Sequence, residues 1–296
     1  MQYQAPLIES EDKLLYLVDY HIRCWSQETH NLDHLKSALI YFDKLYSKLK
    51  SRYIYTSSVQ FLISHAAHLQ GILDCYSTDS SHIPLNKHLS NMLNEEHRYF
   101  VRQENENSRS LTTYLDNLQR HYSRLLAVRV DLSYSKGFHE TVNVNKFQED
   151  MRLFLSRISN KKGCFKHLHG YAWALEQGAK KGYHCHLLLL YDGSKRQKDY
   201  YLGREVGECW MGITNGRGSY FNCNDPAYLE SYQMSGDCGI GMIHRSQEHQ
   251  RINLNNTAQY LTLSTKFDQR LLVKTPSMRT FGHGIFPTSK HRGVNS

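Results

Sequence analysis

Apolar side chains recur at Leu35, Ala38, Phe42, Leu45 and Leu49, the three- and four-residue spacing of one helical face, and predict a helix over 32–50. Less regular forms of the pattern run through SVQFLISHAAHLQGILDCY, LSNMLNEEHRYFVRQ and LTTYLDNLQRHYSRL, and only Pro6 and Pro84 interrupt the first 120 residues. An all-helical region over 1–118 is expected. The period drops to two at RLLAVRVDLSYS, where Leu126, Val128, Val130 and Leu132 alternate with Ala127, Arg129, Asp131 and Ser133, which predicts a strand with one polar face. Helical spacing returns in NVNKFQEDMRLFLSRIS, with Phe147, Met151, Phe154 and Ile158 on one stripe, Asn145 suited to the N-cap and Gln148 at the capping-box position. GYAWALEQ and YHCHLLLLY then read as two strands joined by the turn GAKKG.

Residues 192–247 are glycine-rich and polar and are expected to form an insertion, with one short helix at YYLGREVGECW. NNTAQYLTLSTKFDQ is expected to be helical although Thr257, Thr262 and Thr265 weaken it, and the tail from Pro276 holds too few apolar residues for another layer. The expected fold class is α+β: the helical region, then a domain over 119–290 built on a central antiparallel sheet.

The strand YHCHLLLLY carries candidate chemistry. His184 and His186 share one face with Leu188 and Leu190, while Cys185, Leu187 and Leu189 line the other, so the strand is expected to be central, with both imidazoles near one end. Centring the hairpin on Lys180 sets Leu175 opposite Cys185, Trp173 opposite Leu187 and Tyr171 opposite Leu189, matching apolar with apolar. Glu176 then faces His184. A register slipped by one would bring Gln177 there instead, which keeps Gln177 as the alternative ligand. Two imidazoles and a carboxylate on one face suit a divalent cation with open coordination positions. A second His-x-His, His167 and His169, falls at the loop end of its strand and reads as surface. Asp131 and Arg129 lie on the polar face of the first strand, as a further ligand and a phosphate clamp or as a local ion pair.

Charge adds a direction. Residues 1–120 carry 14 acids and 12 Lys/Arg, which leaves 14 acids and 24 Lys/Arg in the remaining 176, a net −2 beside +10. The second half is where a polyanion would bind. Seven cysteines with no C-x-x-C pair are expected to be reduced thiols, and no window approaches the roughly 18 apolar residues of a spanning helix. The N-terminus lacks the regions of a signal peptide, so a cytoplasmic protein without a membrane partner is expected.

An open cation site on a basic domain suits phosphodiester chemistry, and a tyrosine is a workable attacker because its phosphate ester preserves bond energy for rejoining. Among 21 tyrosines, Tyr260 stands out, in the basic C-terminal segment with Lys266 beyond it. At this point the chain resembles the HUH endonucleases, the single-strand nickases that start rolling-circle replication. It is similar in particular to the inovirus-type (filamentous phage gene-two) replication proteins and to the related YagK/YfjJ C-terminal domain family of prophage elements. The residues that carry the resemblance are LAVRVDLSY, WALEQGAKKGYHCHLLLLYDG, GECWMGITNGRGSYFN and YLTLSTKFDQRLLVKTPSMRTFGHG.

The resemblance implies a ferredoxin-like (RRM-like) sheet, His184, His186 and Glu176 on Mg2+ or Mn2+, and a tyrosine that becomes linked to a DNA 5′-phosphate. It implies a replication initiator acting on single-stranded or origin DNA of a phage or integrated element in a bacterial host, with host replication proteins as further partners. Tyr260 and Lys266 are then catalytic, and Arg129, Asp131, Lys180 and Lys181 lie along the DNA. The pattern departs at the tyrosine: the family places it three or four residues before the lysine, whereas Tyr260 and Lys266 are six apart. Either the helix ends or distorts near LSTK, or Tyr260 acts without Lys266, or activity has decayed. Two other readings stand beside this one: a non-catalytic DNA-binding or regulatory protein on the same fold, and a zinc hydrolase of small substrates.

Overall fold

The computed structural model describes residues 10–27, 32–74, 82–179 and 181–286. Helix α1 (Glu11–Gln27) buries Leu14, Leu15, Val18, Ile22 and Trp25 and packs along α2 (Leu32–Tyr46), which buries Leu35, Ala38, Phe42 and Leu45. The α2 stripe is the one that the spacing predicts, although Leu49 falls beyond the helix end. A two-residue strand, β1 (Ile54–Tyr55), precedes α3 (Ser57–Asp74). The last two helical patterns of this region fuse into one 40-residue helix, α4 (His82–His121). At 1.5 Å per residue it is about 60 Å long.

The rest is built on β2 (Arg124–Tyr134), α5 (Val144–Asn160), β3 (Leu168–Gly178), β4 (Gly182–Asp192), α6 (Asp199–Ile213) and β5 (Gly218–Asn222). The sheet order β5-β2-β4-β3, with every pair antiparallel, is that of a ferredoxin-like β-α-β-β-α-β unit. The segment 192–247 is therefore not peripheral: α6 and β5 complete the unit. Next come α7 (Pro226–Ser235) and β6 (Gly241–His244), which pairs with β2 beside β5. Its glycines have packing reasons, since a β-carbon on Gly207 would strike the Tyr220 ring and one on Gly203 would strike Asn222. Helix α6 thus lies close on β5.

Helix α8 (Glu248–Gln259) follows, then β7 (Val273–Lys274), which pairs with β1, and β8 (Phe281–His283), which adds an edge strand to β3. Among its described residues, the C-terminal tail contributes that strand and no layer. Asn143, not Asn145, caps α5 and accepts from Lys146 N at 3.1 Å, because the helix begins two residues earlier than the apolar stripe suggests. Gln148 then lies past the capping position and accepts from the Thr275 hydroxyl instead.

The two faces of the sheet have different covers. Leu126, Val128, Val130, Leu132, Cys185, Leu187 and Leu189 pack with Phe147, Met151 and Phe154 of α5 and Val206 and Trp210 of α6. Leu125, Ala127, Leu188 and Leu190 pack with Leu111, Tyr114, Leu115 and Leu118 of α4 and Leu254 and Ala258 of α8. The first core also takes in Leu14 to Leu93, so the N-terminal helices share apolar packing with the sheet. Among the described residues, no helix is long and apolar enough to cross a membrane.

Charged groups join the N-terminal helices to the rest at two places, with opposite pH signatures. Arg270 lies 2.9 Å from Asp19 and 3.4 Å from Glu96, and Arg23 closes the cluster at 2.9 Å from Asp19 and 2.7 Å from Glu96. Burial alone would raise the Asp19 carboxyl, but Arg270 and Arg23 outweigh it and hold it below its ordinary range. Arg270→Met leaves two carboxylates on one guanidinium and is expected to cost about 3–5 kcal/mol in urea denaturation. The loss should shrink as pH falls below about 4, where Asp19 is protonated in the unfolded chain.

Asp12 accepts from the Gln177 amide and hydrogen-bonds to Tyr183, and burial raises its carboxyl from 3.8 to about 7. The folded state then holds a proton that the unfolded chain releases, so this contribution is complete below about pH 4 and declines as pH rises to 7. Each unit is worth at most roughly 1.4 kcal/mol, less here because Asp12 is partly open to solvent. Asp12→Asn is expected to flatten stability between pH 4 and 7. A slope that survives the substitution would assign it to another group.

Candidate metal centre

The register that apolar matching predicts is the one observed. Leu175 pairs with Cys185, Trp173 with Leu187, Tyr171 with Leu189, and Glu176 with His184. Gly178 and Gly182 close the hairpin, and Gly182 takes φ +61°, a left-handed conformation that glycine adopts without strain. Since cross-strand partners share a face, Glu176, His184 and His186 converge at one end of β3 and β4, and all three are buried.

One carboxylate oxygen serves both imidazoles. Glu176 Oε2 lies 3.5 Å from His184 Nε2 and 3.2 Å from His186 Nε2, while Oε1 accepts from Lys266 Nζ at 2.6 Å. His184 Nδ1 lies 3.0 Å from the Gly182 carbonyl, which can only accept, so Nδ1 carries a proton there and Nε2 is the ring nitrogen turned to Glu176. The ligand atoms of the three residues lie within 4.8 Å of one another, so this buried group can hold a metal ion. Its nitrogen and oxygen donors suit a divalent cation.

The charges around the centre are balanced within it. Burial would raise the Glu176 carboxyl, but hydrogen bonds from His184 and His186 and the charges of His186 and Lys266 hold it well below its ordinary range. Burial would lower His186, and the bonds to Asp131 and Glu176 overcome it and raise the ring. Asp131, opposite His186 across β2 and β4, has Oδ1 2.7 Å from His186 Nδ1. A carboxylate behind a metal-binding imidazole orients the ring and increases its basicity.

Arg129 lies 3.5 Å from Asp131 Oδ1, and its buried Nε makes no hydrogen bond. The local ion pair thus exists. Lys181 is exposed at the hairpin turn, and Lys180 lies outside the described residues.

The tyrosine question has a backbone answer. Helix α8 ends at Gln259, residues 260–262 form a 3-10 turn, Leu263 is extended (φ −74°, ψ 117°), and a second 3-10 stretch spans Ser264–Gln269. This break folds Lys266 back so that its Nζ lies 3.3 Å from the centre of the Tyr260 ring. Six residues on a regular helix would hold the two apart; here they meet. The Tyr260 ring also meets His186 edge-on at 5.1 Å and carries the Arg129 guanidinium at 4.4 Å. Burial and the Glu176 charge raise its hydroxyl pKa, with Arg129 opposing them. The Lys266 side chain, 9% exposed, lies against Glu176.

Other candidates lie elsewhere. Gln177 points away from the histidines, donating to Asp12 and accepting from Leu272 N at 2.8 Å, which removes it as the alternative ligand. His169 stacks on Tyr122 at 3.7 Å and lies 3.6 Å from Asp192, by the far end of the hairpin, and His167 stands in the preceding loop. One contribution had no sequence signal. A cavity of about 250 Å³ opens beside Glu176 and Lys266, lined also by Tyr99, Phe100 and Glu104 of α4 and Phe281 of β8. Burial and the charge of Glu176 raise the Glu104 carboxyl to about 7. Periodicity places Glu104 on a helix but cannot say that the helix passes a site 70 residues further along the chain.

No curated protein and no solved structure matches the chain. Residues 87–216, from within α4 to just past α6, match the model of the YagK/YfjJ C-terminal domain, a stretch that contains Glu176, His184, His186, Arg129 and Asp131 and ends before Tyr260 and Lys266.

Proposed function

We propose that the protein is a metal-dependent, tyrosine-type single-strand DNA nickase and strand transferase of the HUH class, a replication initiator for a phage or integrated element. The observation that carries this reading is the Tyr260 ring 5.1 Å from His186, beside a buried His-His-Glu group. A phenol against a cation site is the arrangement that phosphoryl transfer to tyrosine needs. Bound by Glu176, His184 and His186, Mg2+ or Mn2+ would polarise a phosphodiester and offset its charge. Tyr260 Oη attacks phosphorus as its phenolic proton leaves, the bond to the 3′-oxygen breaks, and the departing 3′-oxygen takes up a proton, which gives a 5′-phosphotyrosine and a 3′-hydroxyl. Arg129, whose guanidinium lies over the Tyr260 ring, would add positive charge beside the phosphate, and Lys181 lies exposed at the rim.

The reading is tested by incubating the protein with single-stranded DNA and Mn2+ and running a denaturing gel. A band of protein covalently joined to DNA is expected. Protein that binds the DNA but yields neither adduct nor nick would overturn it. One observation favours the second reading, a DNA-binding module without catalysis: Glu176 is already paired with Lys266 at 2.6 Å, so the centre is charge-balanced without an ion.

A further inference from the structure

The face that carries the candidate metal centre continues past it. Asp131 pairs with His186 on one side and with Phe221 of β5 on the other, so Phe221, Asp131 and His186 form one row on one face of the sheet. Buried apolar packing covers this face on the β3 side of the centre, at Ala174 and Phe281, and beyond it, at Leu188 and Leu190. At its β5 end the cover is aromatic and open. Phe221 is 48% exposed, and Tyr228 of α7 meets it edge-on at 5.0 Å while 37% exposed. Tyr232, one helical turn on, lies 5.4 Å from Tyr228 with the hydroxyls 3.4 Å apart and is 44% exposed.

Three adjoining aromatic rings turned to solvent cost free energy unless something covers them. Leu229 of α7 is buried, while Tyr228 and Tyr232 of the same helix stay open to solvent. Their neighbour on the inner side is cationic. Arg129 interacts electrostatically with Tyr228 and with Tyr260, and it carries the Tyr260 ring at 4.4 Å. Exposed rings continuous with a guanidinium and a phosphoryl-transfer centre match unpaired nucleotides, whose bases offer flat π faces and whose backbone offers anions. A folded protein partner would equally cover rings, but nothing in its chemistry would select a row that ends on Arg129.

We propose that Phe221, Tyr228 and Tyr232 form a base-stacking platform that holds the unpaired strand next to the phosphate engaged at the metal centre. The proposal rests on reading this face as DNA-binding and adds where the flanking bases lie. Stacking on aromatic rings tolerates any base, so the platform contributes affinity and leaves sequence choice to other contacts.

The test uses the full chain, chelator present, and a pool of labelled random-sequence single-stranded oligonucleotides of about 16 nucleotides, the upper site size of single-strand modules. Fluorescence anisotropy reads affinity, and circular dichroism checks the fold. Tyr228→Ala with Tyr232→Ala is expected to weaken binding by about 5- to 100-fold. Tyr228→Phe with Tyr232→Phe keeps the rings and is expected to stay within about 2-fold of wild type. Alanine variants that bind like wild type would overturn the platform, as would phenylalanine variants that lose as much as alanine ones. Wild type that binds no oligonucleotide would overturn both the platform and the DNA-binding reading. Binding that depends on the rings, with no covalent adduct once Mn2+ replaces the chelator, would keep the platform and overturn catalysis alone.

Discussion

Tyr260→Phe is expected to abolish the covalent protein–DNA adduct and to lower nicking by on the order of 10⁴ or more, with DNA affinity nearly unchanged. The substitution removes one hydroxyl and keeps a ring. The ring contacts with His186, Lys266 and Arg129, at 5.1, 3.3 and 4.4 Å, are kept and only the hydroxyl's hydrogen bond with Arg129 is lost, so the fold and the centre should stay as they are. Phenylalanine has no oxygen to attack phosphorus. Denaturing gels of the wild-type and variant proteins with the same oligonucleotide and Mn2+ read the result. An adduct of undiminished yield in the variant would move the nucleophile to another tyrosine while leaving the metal centre intact.

Glu176→Gln is expected to act on stability and on metal binding together. Lys266 Nζ is buried and bonded to Glu176 Oε1 at 2.6 Å, so the amide leaves an ammonium without its counter-charge. Breaking a buried pair from one side costs about 3–5 kcal/mol. The same change removes the carboxylate whose oxygen faces both His184 and His186. Urea midpoints with and without Mn2+ separate the two effects. Wild type should gain stability with Mn2+ as the ion binds the folded state, and the variant should start lower and gain little. An equal gain in both proteins would show that the ion binds elsewhere. Unchanged stability in the variant would mean that Lys266 is neutral when buried, the direction in which burial drives it.

The hairpin was readable because β3 and β4 are adjacent in sequence and joined by a short turn. With a two-residue side-chain period, matching apolar faces leaves one register, and Glu176 against His184 follows. Asp131 and Arg129 were readable for the same reason, as polar positions in a strand otherwise apolar. Local chemistry was less decisive at helix ends. Asn143 and Asn145 are both good caps, and the choice between them depends on how Val144 packs, which no local pattern contains. The reach of α5 beyond its apolar stripe was hidden for that reason.

Alternation and helical spacing by themselves determined the helical N-terminal region, the α+β class and the pairing that unites two histidines with a glutamate, because each depends on neighbours a few residues apart. Only the tertiary structure decided the rest. It showed that 192–247 completes the sheet through β5 and α6, a pairing between strands some 85 residues apart whose energy lies in packing against Gly203 and Gly207. It removed Gln177 to the opposite face. Most of all it brought Tyr260 and Lys266 together through the extended Leu263, where the buried carboxylate of Glu176 draws in the lysine and a broken helix lets it come. Six residues of separation mean one distance on a regular helix, and the helix ends where long-range charge and burial outweigh local propensity.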